Sequence, residues 1–166
     1  MIRPATPADV PEILTMIAEL AAYEKEPDSA VATAEQLHAA LFGPAPAVFA
    51  RIAAEPGPDG ESVVGMAVYF RTFSTWTGTH GIWLEDLYVR PGARGGGHGK
   101  KLLAALAQEC RENGYARLEW TVLDWNAPAI GFYRAIGAVP MDEWTTQRLT
   151  GDALGALADS AEPGAA

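Results

Sequence analysis

The stretch WLEDLYVRPGARGGGHGKKLLAAL, residues 83–106, concentrates groups that can do chemistry. Two adjacent carboxylates, Glu85 and Asp86, interrupt an apolar, strand-like run. Glycines and cations follow from Arg94 to Lys100, and leucines at helical spacing come directly after. A charge inside an apolar strand costs free energy unless it has a partner. The pair therefore marks either an edge or bulged strand with solvated carboxylates, or a site that needs acids. Alternation along a regular strand would send Glu85 and Asp86 to opposite faces.

The glycine cluster calls for an anion. Glycine lets the backbone take unusual dihedrals and lets a ligand come close. The N–H groups at the start of a helix, with its positive dipole end, attract phosphate. Two familiar phosphate motifs fail here. The P-loop would need glycine where Arg94 stands and Ser or Thr where Lys101 stands. The dinucleotide fingerprint fails because its last glycine would fall on Lys100 or Leu102. What remains is Arg94-x-x-Gly97-x-Gly99 with Gly95, Gly96 and His98 between, followed by Lys100. Its readings are a phosphate-holding loop or a flexible surface loop.

Elements to position these groups can be read on either side. Thr6, Pro7 and Asp9 open a first helix with Ile13, Leu14, Ile17 and Leu20 on one face. Thr33 and Gln36 form a capping box for a short second helix ended by Gly43. AVFARIAAE and SVVGMAVYFRTF predict two strands around the turn PGPDG. IWLEDLYV predicts a third, and a helix from about Gly99 to Asn113 follows the glycine loop. YARLEWTVL predicts another strand. NAPAIGFYRAIG predicts a helix that Asn126 can cap, and AVPMDEWTTQRLT one or two late strands. GDALGALA predicts a last helical turn or two, and the end a frayed tail. With no repeat and no linker, residues 1–158 read as one domain and 159–166 as a tail. The order implies an α/β or α+β fold around one central mixed sheet.

Composition narrows the classes. The chain has 166 residues, 49% of them hydrophobic, enough for a full core. One cysteine, Cys110, excludes an internal disulfide framework and a multi-cysteine metal site. His38, His80 and His98 show no metal spacing, so no metal is expected. No apolar run approaches membrane-spanning length, and the start shows no secretory pattern, so a cytoplasmic protein without membrane contact is expected. The net charge of −9 argues against a nucleic-acid surface and favours cationic ligands, although an acidic proteome gives the same excess.

Strand, R-x-x-G-x-G, then helix resembles the acyl-CoA pyrophosphate loop of GNAT-type N-acetyltransferases. WLEDLYVRPGARGGGHG together with VLDWNAPAIGFYRAIGA resembles the spermidine/spermine (diamine) branch, which includes enzymes acting on thialysine. IRPATPAD, YEKE and STWTG match that branch too, so the resemblance runs from Ile2 to Ala158. It implies the GNAT fold and acetyl-CoA as donor. It implies a pyrophosphate on Arg94 to Lys100 and a pantetheine arm along the backbone of Leu87, Tyr88 and Val89. Asn126 to Ala129 would touch the cofactor from another side; Asn126 is also a plain helix cap, and both roles are compatible.

The resemblance further implies that Glu85 binds the substrate ammonium and takes its proton, with Asp86 adding cleft charge. It implies Tyr133 as the acid that protonates the leaving thiolate. Taken alone, Tyr133 reads first as a core aromatic whose hydroxyl finds a partner. The amine pocket would also use Tyr23, Glu24, Glu119, Trp120, Thr121 and Glu143, since acids with aromatic walls suit a flexible polycation. Two departures touch the amine end. Glu143-Trp144 lacks the glycine of the family's pattern, and TTQRL is less aromatic. The expected activity is direct acetyl transfer, in a ternary complex, to a small diamine, polyamine or thialysine-like amine by a homodimer. Cys110 is poorly placed to carry an acetyl group. The alternatives are another amine, such as an amino acid, drug or protein terminus, or a non-catalytic acyl-CoA-binding domain.

Overall fold

Apolar residues at alternate positions of three long strands build the centre of the fold. The computed structural model describes residues 1–58 and 60–161. Strands β1 (Ile2–Pro4), β2 (Phe49–Gly57), β3 (Gly60–Ser74), β4 (Thr79–Val89) and β5 (Leu118–Glu119) lie in that spatial order. Neighbours are antiparallel except β4 and β5, which run parallel, so the sheet is mixed as expected. Helices α1 (Val10–Tyr23), α2 (Ala34–Phe42), α3 (His98–Asn113), α4 (Ala127–Ala135) and α5 (Gly151–Asp159) complete the chain. Contacts group it into two compact units, Met1–Thr121 and the residues from Val122 on.

In the first unit the sheet is covered on both faces. Ile52, Met66, Val68 and Tyr88 pack with Val10, Ile13 and Met16 of α1 and Leu37 and Leu41 of α2. α3 lies against β2, β3 and β4, with Leu102 and Leu106 fully buried. Each such side chain contributes about 1.5–3 kcal/mol by leaving water. The Thr33 capping expectation holds, whereas Thr6 opens a 3-10 turn over Pro7–Asp9 that leads into α1. Thr33 and Gln36 exchange their hydrogen bonds at the start of α2. At the other cap Asp9 accepts from the backbone N–H and hydroxyl of Thr6, and also from both Nη atoms of Arg3. That guanidinium is the main reason the Asp9 carboxyl is lowered to about 2.

β4 contains one residue more than β3 can match. Asp86 pairs with Val68 and Leu84 with Tyr69, which leaves Glu85 as the extra residue of a bulge. Simple alternation therefore fails across this point. Asp86 and Tyr88 share registers with Val68 and Met66 of the α1 face. Leu84 is paired with Tyr69, whose hydroxyl reaches Glu109 of α3 at 2.6 Å.

The second unit carries α4 and α5. Asn126 caps α4, its Oδ1 accepting from the N–H of Ala129 at 3.4 Å. Two sequence expectations change here and just before. The strand expected over residues 115–123 is ordered as a strand only at Leu118–Glu119. The late strands expected over residues 138–150 do not form. A strand needs a neighbour to accept its ladder, and the only strands that pair among the described residues are β1 to β5. Residues 162–166, most of the expected tail, lie outside the described residues, as does Asp59 of the expected turn.

At Gly65, where β3 faces β4, there is no space for a side chain. A Cβ at Gly65 would stand 2.7 Å from the Tyr88 carbonyl oxygen and 3.1 Å from Val89 Cγ2. Neither backbone can retreat without disturbing the ladder. Gly65→Ala should therefore lower stability by about 1–3 kcal/mol, read as a shift of the urea midpoint at unchanged slope.

Candidate functional site

The bulge sets the geometry of the first unit's candidate site. β5 pairs with β4 only at Ile82–Leu118 and Trp83–Glu119. From Leu84 to Val89, β4 has no strand on its β5 side among the described residues. A free backbone group on that edge is the kind that an extended amide-bearing ligand pairs with by adding a strand; Leu87 lies on it, whereas the Tyr88 carbonyl faces Gly65 of β3 and the Val89 carbonyl accepts from Arg94.

At the end of β4 the chain enters the glycine loop. Gly95 and Gly97 take φ of +85° and +76°, values that strain any side-chain-bearing residue. Gly97 caps α3, and the first bond into the helix runs from the Lys101 N–H to the Gly97 carbonyl. The N–H groups of His98, Gly99 and Lys100 thus have no partner within the helix, and they sit at its positive end. Lys100 is exposed beside them. This arrangement fits a pyrophosphate.

Two contacts hold that loop, and neither was visible in the sequence. His98 is buried, only 6% exposed, and its Nε2 donates to Glu55 Oε1 of β2 at 2.7 Å. The His98 side chain therefore anchors the loop from below, and its backbone N–H is the part that belongs to the anion cradle. Arg94 donates from Nε to the Val89 carbonyl at 2.9 Å. Its guanidinium lies 5.1 Å from the centre of the Tyr23 ring and 5.8 Å from that of Tyr88. Tyr23, expected in the amine pocket, thus meets the loop arginine.

Acids gather where α1 ends against β4. Burial pushes the Asp86 carboxyl up to about 6, and the charges of Glu85 and Glu24 push in the same direction. Burial also raises Glu24. Glu85 is exposed, and its Oε2 accepts from the Trp83 indole N–H at 2.8 Å. Of the two adjacent acids, Asp86 rather than Glu85 feels the stronger desolvation. Such a cluster favours a cation, because one positive charge relieves both the repulsion and the burial cost. On β5, Glu119 pairs with Arg117 at 2.7 Å, next to half-buried Trp120 and exposed Thr121. Cys110 is buried, and burial raises its thiol, which suits packing rather than nucleophilic attack.

In the second unit, Asn126 is buried and caps α4 beside Ala129. Tyr133 is half-buried one turn further along, its ring 5.4 Å from that of Phe132. Glu143 and Trp144 are exposed. Of the other tryptophans, Trp76 and Trp125 are exposed as well, so neither belongs to a core.

Glu55 is the residue that sequence reading had no means to find. It is an ordinary strand carboxylate, 43 positions from the histidine it holds. Trp83 gave a weak signal, an aromatic two positions before the acid on the same strand.

Residues 13–138 match the Acetyltransferase (GNAT) family. The chain is 41% identical to a thialysine N-epsilon-acetyltransferase of Bos taurus, over 95% of this chain and 96% of that one. It is 32% identical to an L-ornithine N5-acetyltransferase of Arabidopsis thaliana, over 94% and 86%. Among solved structures, an integron cassette protein from V. cholerae superposes with a TM-score of 0.78 at 29% identity, covering 96% of this chain and 98% of that one. A glycine loop at a helix start, a bulged strand with a free edge and an acid cluster are thus found in a chain matched over most of its length. The protein is an N-acetyltransferase and belongs to the GNAT family.

Proposed function

We propose that the protein moves an acetyl group from acetyl-CoA to a primary amine of a small cationic diamine, polyamine or thialysine-like amino acid, directly in a ternary complex. The observation that carries the substrate class is the acid cluster of half-buried Asp86 and exposed Glu85 on the strand that leads into the anion loop, with Glu24 at the end of α1. The substrates named for the cattle and Arabidopsis relatives, thialysine and ornithine, both present a side-chain amine to such acids. Residues 1–158 act as one catalytic domain in this reading, supported by a family match that runs through residues 13–138.

Each residue has a role in the proposal. The N–H groups from Gly95 to Lys100, with Arg94 and Lys100, hold the pyrophosphate. The β4 edge at Leu87, Tyr88 and Val89 holds the pantetheine amides, and Asn126 and Ala129 add contacts to the donor. An N–H near Leu87 polarises the thioester carbonyl. The amine arrives as a cation, because its pKa is near that of lysine, about 10.4. Glu85 and Asp86 bind it, and Glu85 accepts its proton directly or through water. Glu24, Glu119, Trp120, Thr121 and Glu143 line the amine path. The neutral nitrogen attacks the carbonyl carbon, an amide forms, and the C–S bond breaks. Tyr133 gives its proton to the departing thiolate.

The active form is a homodimer in this proposal. In the second unit Val139, Met141, Trp144, Leu154 and Leu157 are all more than half exposed. Apolar surface of this extent is what a second copy covers. The protein works in the cytoplasm, where acetyl-CoA and small amines are both at hand.

The test of the activity is thiol release from acetyl-CoA against putrescine, spermidine, spermine, thialysine, lysine, ornithine and a basic peptide. Saturable release with one small amine is expected, and turnover with the peptide alone would overturn the substrate class. Tyr133→Phe should lower kcat by about 100-fold with the KM for acetyl-CoA nearly unchanged, and wild-type turnover would remove Tyr133 as the acid.

Asp86 gives a pH test. Its carboxyl sits near 6 in the fold against an ordinary 3.8. Below about pH 3 it is protonated in both folded and unfolded chains, and it costs nothing. As pH rises towards 6 the unfolded chain has released the proton that the fold retains, so stability falls; above 6 the whole cost is present. Solvent around the half-buried group screens part of it. Asp86→Asn should therefore gain about 1–3 kcal/mol at pH 8 and almost nothing at pH 3, by urea titration at both pH values. An equal gain at both would show that the Asp86 charge is not the cause.

A further inference from the structure

Arg94 is an exposed arginine in a loop whose neighbours are glycines, yet three contacts hold its guanidinium. Nε donates to the Val89 carbonyl at 2.9 Å, Tyr88 lies 5.8 Å from the guanidinium, and Tyr23 lies 5.1 Å from it. Val89 and Tyr88 belong to the strand that leads into the loop, so their contacts are nearly local. Tyr23 comes from a different element, the last residue of α1. We infer that Tyr23 is a positioning residue of the donor site, which holds Arg94 ready for the pyrophosphate of acetyl-CoA and leaves amine binding to its neighbours. This rests on the reading of the glycine loop as the donor site.

The physical argument is preorganisation. A long exposed side chain loses rotamer freedom when it grips an anion, and that loss weakens binding. An aromatic face attracts a guanidinium through the ring quadrupole and leaves the edge of the fork available. With Nε engaged by Val89 and the ring contacts holding the guanidinium, the Nη pair remains as the edge that grips phosphate oxygens two at a time. The ordering cost is then met when the protein folds. This attraction needs the π face of residue 23, which phenylalanine supplies as well as tyrosine.

The adjacent residue does the opposite work. Glu24 acts on Asp86 through its charge. Consecutive residues at the end of α1 therefore serve the two substrates separately, Tyr23 the donor and Glu24 the amine.

The experiment compares Tyr23→Leu, Tyr23→Phe, Arg94→Ala and the Tyr23→Leu/Arg94→Ala double variant. CoA binding is measured by calorimetry. Kinetics are measured with acetyl-CoA and with S-acetyl-pantetheine, which lacks the pyrophosphate. Tyr23→Leu should weaken CoA and raise the KM for acetyl-CoA by about three- to tenfold, the size of a cation–π contact. Its kcat and its KM for the amine should stay near wild type, and Tyr23→Phe should keep the CoA affinity of wild type. With S-acetyl-pantetheine, or in the Arg94→Ala background, Tyr23→Leu should cost nothing further.

A rise in the amine KM with acetyl-CoA unaffected would overturn the inference, as would an equal loss with S-acetyl-pantetheine. Wild-type protein that binds CoA, with Tyr23→Leu binding it as tightly, removes the positioning role alone. Wild-type protein that binds no CoA removes the donor-site reading beneath it.

Discussion

One extra residue in β4 governs the candidate site. A strand offers its side chains to two faces in strict turn, and a bulge is the way to break that turn without ending the strand. With Glu85 inserted, Leu84 shares a register with Tyr69, while Asp86 and Tyr88 share registers with Val68 and Met66. The helix-α1 face therefore receives an acid and an aromatic in succession, one beside Glu24 and one beside Arg94. The same strand parts from β5 after Trp83, which frees its edge for a ligand's amides.

The anion cradle shows how a flexible sequence is made to hold one shape. Glycines at 95 and 97 are required by their positive φ, but glycine by itself gives freedom rather than order. Order comes from the ends. His98 is drawn into the protein by Glu55, and Arg94 is held by a carbonyl and by aromatic rings from two elements. The helix start between them then presents its N–H groups in a fixed direction.

Charge is distributed along the same short path. Cations and helix N–H groups lie past the end of β4, and partly desolvated acids lie before it. Arg90 stands at the boundary, bonded to Glu12 and Glu19 of α1 and to the Val63 carbonyl. It ties helix to strand where the two regions of opposite charge meet. In an acidic protein, short-range N–H groups and a fixed guanidinium can still favour an anion locally over a diffuse net charge that salt screens.

The sequence by itself determined the local features. Capping at Thr33–Gln36 and at Asn126, the long strands, the helix after the glycine loop and the mixed sheet all follow from periodicity and from backbone chemistry that acts within a few residues. So does the presence of glycines before a helix and of acids in an apolar strand. Only the tertiary structure decided which atoms those residues meet. The pairing of His98 with Glu55, the stacking of Tyr23 on Arg94 and the greater burial of Asp86 than Glu85 depend on elements far apart in the chain. The short β5 and the missing late strands belong to the same class, since a ladder forms only where a neighbouring strand accepts it. Local propensity acts through neighbours in sequence, whereas register, burial and charge coupling act through neighbours in space.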